Sequence, residues 1–130
     1  MPEPRRVLTA HGAPPAAGPY SHAVAHGSVL YCSGQTPLDP ATGKLVEGDV
    51  GAQTARCLEN LQIVCAAGGA RLEAAVRCAV YVTDMTTFAE VNEAYATFFS
   101  SEPPARTTIG VAALPLGAAV EIDAIVALPA

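Results

Sequence analysis

Apolar positions along this chain follow a helical period in two stretches and a strand period in several others. Over residues 50–69, Thr54, Cys57, Leu58, Leu61, Val64, Cys65 and Gly68 keep the i, i+3, i+4, i+7 spacing of a buried stripe, with Arg56, Glu59 and Asn60 outside it. Asp49 is placed to cap this helix and Gly68-Gly69 to stop it. Thr87-Phe88-Ala89-Glu90 has the form of a capping box and predicts a second helix, with Phe88, Val91, Tyr95 and Phe98 as its buried stripe. Asn92 falls one position beyond that stripe, on the helix surface. Strict alternation predicts strands over 75–83, with Val76, Cys78, Val80 and Val82 on one face, and over 120–128, with Val120, Ile122, Ala124, Val126 and Leu128 on one face. Residues 23–25 and 29–32 read as a hairpin turned at His26-Gly27-Ser28. An exposed start over 2–6 leads into a short edge strand at Val7 and Leu8.

Between these elements lie stretches that local chemistry keeps irregular. Gly12, Pro14, Pro15, Gly18 and Pro19 make 11–19 a loop, and Tyr20 directly after it either plugs the core or caps a pocket. Residues 36–49 form a second, polar loop with turns at Asp39-Pro40 and Thr42-Gly43. Ser33-Gly34-Gln35 ends a strand, and a glycine there lets another backbone or a ligand come close. Pro103-Pro104-Ala105 precedes Arg106, and the fixed φ of the prolines makes the arginine open a strand. In that strand Arg106, Thr108 and Gly110 share one face, while Thr107, Ile109 and Val111 share the other.

The order β-β-β-α-β-α-β-β describes an α+β fold, a mixed sheet with two helices packed on one face. The other face would carry Ala79, Tyr81, Ala119, Ile125 and Ala127, too apolar for water and with no third helix to cover it. This predicts a homo-oligomer packed through its sheets, with Arg106, Thr108 and Glu121 gathered on the covered side in a pocket between subunits.

Composition narrows the classes. A length of 130 residues fits one domain, 1–130, and 51% hydrophobic against 15% charged residues excludes disorder. Seven Lys plus Arg against twelve Asp plus Glu give −5, the wrong sign for nucleic-acid binding. No apolar run of about 18 residues and no leader pattern appear, so the expectation is a soluble cytoplasmic protein without membrane contact. Cys32, Cys57, Cys65 and Cys78 lack metal-ligand spacing and read as small core hydrophobes. His22 and His26 flank a strand and turn rather than a metal-binding helix.

The chain resembles the RidA/YjgF family of small imine- and enamine-handling proteins over nearly its whole length. The resemblance rests on Gly18-Pro19-Tyr20-Ser21, Ser33-Gly34-Gln35, Gln53-Thr54-Ala55, Tyr81-Val82-Thr83-Asp84, Val91-Asn92 with Tyr95, Pro104-Ala105-Arg106, Ala113-Leu114-Pro115 and Val120-Glu121-Ile122, in that order. It implies a chorismate-mutase-like fold and a homotrimer with clefts between subunits. It further implies hydrolysis of 2-imino and 2-enamino acids to 2-oxo acids and ammonia, with no metal or organic cofactor. By resemblance Arg106 holds the substrate carboxylate, Glu121 positions or activates water, and Tyr20, Ser33, Gly34 and Thr108 line the cleft. Some relatives carry a cysteine where this chain has Thr108, which removes any thiol-based role at that position.

The residue types suit this chemistry. An imine of a 2-oxo acid is already electrophilic, so orienting the acid and delivering water suffices. A guanidinium offers a planar fork to the carboxylate and keeps its proton. Arg106 and Glu121 as a plain cross-strand ion pair is the structural alternative. A binding or regulatory module for 2-oxo acids, and a dedicated pathway enzyme for one imino acid, are the functional alternatives.

Overall fold

The computed structural model describes residues 4–130, so the first part of the expected exposed start lies outside the described residues. Strands β1 (Arg6–Leu8), β2 (Ala23–His26) and β3 (Val29–Gln35) are followed by helix α1 (Val50–Ala67) and strand β4 (Ala75–Val82). Helix α2 (Phe88–Ala96) and strands β5 (Ala105–Gly110) and β6 (Val120–Ala127) complete the order. The six strands form one sheet in the order β1-β2-β3-β6-β4-β5, antiparallel except for the parallel β4–β5 pair. This is the expected α+β architecture.

Both helices lie on one face of the sheet. The α1 stripe of Thr54, Cys57, Leu58, Leu61, Val64 and Cys65 is buried against Leu30, Cys78, Val80, Ile122 and Val126. Asp49 caps α1 by accepting the Ala52 N–H at 2.9 Å, and Gly69, at φ 76°, turns the chain out of it. All four cysteines sit in this core, as expected of small hydrophobes. Gly27, at φ 62°, supplies the left-handed residue of the two-residue β2–β3 turn. Among the described residues no helix is long and apolar enough to cross a membrane.

Four local expectations are corrected. Asn60 is buried rather than outside the stripe: its amide donates to the carbonyls of Thr36 at 3.2 Å and Leu38 at 2.9 Å and accepts from Arg56 Nε at 3.1 Å. Val76 is exposed, because a register shift between Ala75 and Arg77 lifts it out of the alternation. The capping box does not form. Residues Met85–Thr87 make a 3-10 turn capped by Asp84, and Thr87 Oγ1 donates to the Asp84 carbonyl at 2.7 Å instead of capping α2. The buried stripe of α2 is Val91 and Tyr95 and ends on Phe99: Phe88 is exposed at the helix start, and Phe99 rather than Phe98 turns inward beside Tyr95 because the helix stops at Ala96.

Candidate active site

Two separate groups of functional side chains emerge, one on each face of the sheet. The first surrounds Glu121. A cavity of about 500 Å³ opens beside it, lined by Tyr20, His22, Ser33, Gly34 and Leu38 among others. The proline-rich loop that walls it is pinned by His22, whose Nδ1 accepts the Ala10 N–H at 2.9 Å while its Nε2 donates to the Pro14 carbonyl at 2.8 Å. Tyr20 does not plug the core. It is 49% exposed at the cavity, and its hydroxyl accepts the Ala17 N–H at 3.0 Å. Buried Asn60 anchors the opposite wall through its bonds to Thr36 and Leu38.

Glu121 is placed by β6 and given room by β3. The register between β3 and β6 shifts between Cys32 and Gln35, so Ser33 and Gly34 bulge there. A Cβ on Gly34 would run into the Glu121 carboxylate, which therefore depends on glycine for its position. Ser33 Oγ donates to the Ser21 carbonyl at 2.6 Å and ties the bulge to the residue after Tyr20. Burial, reinforced by the charge of Asp123 two residues along the same face, holds the Glu121 carboxyl above the ordinary glutamate range. Asp123 itself accepts from the Tyr81 hydroxyl at 3.0 Å.

The second group surrounds Arg106. Its guanidinium lies over the Tyr95 ring, 4.7 Å from Cζ to centroid, and beside the Phe88 ring at 5.6 Å. It donates one hydrogen bond, to Asn92 Oδ1 at 2.7 Å. Among the described residues no carboxylate pairs with it, so most of its donors remain free. Thr108 Oγ1, on the same face of β5, and the Tyr95 hydroxyl are both buried without a hydrogen-bond partner.

Tyr20, Ser33, Gly34 and Glu121 thus come together, and Arg106 and Thr108 come together elsewhere. The expectation that Arg106 and Thr108 share the open face with Glu121 is corrected by strand register. Residues directly opposite across a ladder point to the same face. Arg106 stands opposite Cys78, and Glu121 opposite Tyr81. Cys78 and Tyr81 are three positions apart on β4, so they face opposite ways. Arg106 in fact ends a row of core positions on the helix side, Ala23, Cys32, Ala124 and Cys78. Strand geometry separates the two backbones by about 10 Å across the sheet and about 10 Å along it. The ion-pair alternative is thereby excluded within one chain.

Sequence reasoning missed the surroundings of both groups. Phe88, Asn92 and Tyr95 stand at i, i+4, i+7, so their spacing makes one face of α2, and the surface position of Asn92, solvated or in contact by the sequence, is a contact with Arg106. Asp123 was visible as the second acid on the Glu121 face of β6.

The fold is that of a small α+β domain, a six-stranded sheet with two helices. A family model described as Endoribonuclease L-PSP matches residues 10–128. Protein DfrA of Myxococcus xanthus is 50% identical over 123 residues, spanning 93% of this chain and 94% of that protein. A 2-iminobutanoate/2-iminopropanoate deaminase of Mus musculus is 44% identical over 121 residues, spanning 93% and 90% respectively. Among solved structures, E. coli TdcF with bound serine superposes with a TM-score of 0.90 at 34% identity, covering 95% of this chain and 99% of that one. The chain belongs to the Endoribonuclease L-PSP family, that is, the YjgF/RidA family.

Proposed function

We propose that this protein is an imine deaminase that hydrolyses small 2-imino and 2-enamino acids to 2-oxo acids and ammonia. In this reading the two groups meet across a homotrimer interface, Arg106 of one subunit completing the Glu121 cavity of the next. The observation that carries it is the pairing of opposite defects: a guanidinium with no anion among the described residues and a carboxylate kept from its ordinary acidity, too far apart in one chain to share a small substrate.

Arg106 takes the substrate carboxylate through its free donors, with Thr108 Oγ1 beside it. Glu121, ionised, accepts a proton from water as the water oxygen bonds to the imine carbon. The electron pair of the C=N bond moves to nitrogen, which takes the proton held by Glu121 to give the carbinolamine. Glu121 then takes the hydroxyl proton as the carbonyl forms, passes it to nitrogen, and the carbon–nitrogen bond breaks to release ammonia. No strong nucleophile is needed, and Thr108 in place of a thiol is compatible with every step. The deaminase name of a relative at 44% identity and a small amino acid bound in a structural neighbour support the substrate class. Ribonuclease action is the weaker reading, because the chain carries −5 and its Arg106 site is a single guanidinium rather than a basic stripe.

The test generates 2-aminoacrylate or 2-iminobutanoate in place with an upstream enzyme and follows 2-oxo acid release against a chemical trap for the imine. Acceleration is expected. No acceleration with substrates of several side-chain sizes leaves the non-catalytic carboxylate-binding module.

A further inference from the structure

The cradle of Arg106 has a chemical peculiarity: every group that holds the guanidinium is uncharged. Asn92 Oδ1 fixes one Nη at 2.7 Å, the Tyr95 ring lies 4.7 Å below Cζ, and the Phe88 ring closes a side at 5.6 Å. All three come from one face of α2, whose entry is set by the Asp84-capped turn. The chain has twelve acidic residues, yet none among the described residues pairs with this arginine. An aspartate at 92 would match the asparagine in size and would bind the guanidinium more strongly.

We infer that Asn92 is a positioning residue whose neutrality matters: it orients Arg106 for an incoming carboxylate without neutralising it. A carboxamide oxygen aligns the planar fork, and the aromatic faces restrict its tilt while leaving edge donors open. A carboxylate in the same place would align the fork equally well but compete with the ligand for it. Orientation and charge are therefore separable at this position. The inference rests on the reading of Arg106 as a carboxylate hook, and adds which residue sets its geometry and why that residue is an amide.

The experiment compares wild type, Asn92→Asp and Asn92→Ala, measuring calorimetric affinity for 2-oxobutanoate, thermal midpoint and imine-hydrolysis kinetics. Asn92→Asp is expected to keep or raise the thermal midpoint while weakening 2-oxobutanoate binding about tenfold or more, with the kinetic loss appearing mainly in KM. Asn92→Ala is expected to weaken binding by a smaller factor, about threefold to fivefold, because the charge stays available while its orientation loosens. A merely structural asparagine would make binding fall only as stability falls. Wild-type affinity in Asn92→Asp, or a loss matched by an equal drop in thermal midpoint, overturns the inference alone. A wild-type protein that binds no 2-oxobutanoate rejects the carboxylate reading of Arg106, and this inference with it.

Discussion

Arg106 and Glu121 lie on opposite faces of one sheet, and the chain prepares them in opposite ways. The arginine keeps its full charge in a neutral cradle of amide and aromatic rings, its donors largely open. The glutamate is pressed towards its protonated form by burial and by Asp123, and is held against the backbone of Gly34. One group suits permanent anion capture and the other suits proton exchange. Rigid elements supply both, with α2 and the sheet edge behind the arginine, and a bulge and two pinned loops around the glutamate.

This contrast is broken most strongly at Glu121. Glu121→Gln is expected to lower kcat by about 100-fold or more, the scale of general-base loss. Its effect on stability has the opposite sign. Because the folded carboxyl titrates above its unfolded value, its ionisation opposes folding above that folded value, and this penalty disappears below the unfolded value, near 4.5. The glutamine variant is therefore expected to melt at or above the wild-type temperature at neutral pH. In the wild type, the acidic limb of kcat/KM should lie above the ordinary glutamate value of 4.5 and be absent from the residual activity of the variant. Retained activity at neutral pH would remove Glu121 as the base.

Arg106→Ala comes next, with an expected loss of about 30-fold or more in kcat/KM from the desolvated pair it forms with substrate. Far-ultraviolet circular dichroism should be unchanged, since among the described residues the guanidinium carries no ion pair. Gly34→Ala should be smaller, about tenfold in kcat. The Cβ displaces a flexible carboxylate end rather than backbone, so the fold tolerates it while Glu121 swings aside. A Gly34→Ala enzyme with wild-type kcat would separate Glu121's position from its action.

Much of this frame was legible in the chain itself. The α1 stripe, its Asp49 cap, the β2–β3 turn and the alternation of β6 are local patterns that tertiary structure had no reason to override. Asn60 shows where polarity misled: it lies three residues from Cys57 and four from Val64, on the stripe, but its amide is needed inside to hold Thr36 and Leu38. Asp84 displaced Thr87 as the helix-entry residue because a 3-10 turn intervened before α2. The face of Arg106 was not readable, because alternation tells which residues share a face and not which face is covered. On β5 both faces carry threonine, and only pairing with Cys78 decides between them. The resemblance named the candidate residues, while register revealed that they fall into two groups on opposite faces of the sheet.

The composite site is tested most directly by co-expressing Arg106→Ala and Glu121→Gln chains at equal amounts with different tags, purifying the mixed oligomers and measuring imine hydrolysis. An interface that takes its arginine from the Glu121→Gln chain and its glutamate from the Arg106→Ala chain contains both groups. A mixed trimer of either composition holds one such interface in three, so the account predicts about a third of wild-type activity. Activity no greater than the mean of the two parent variants would contradict it.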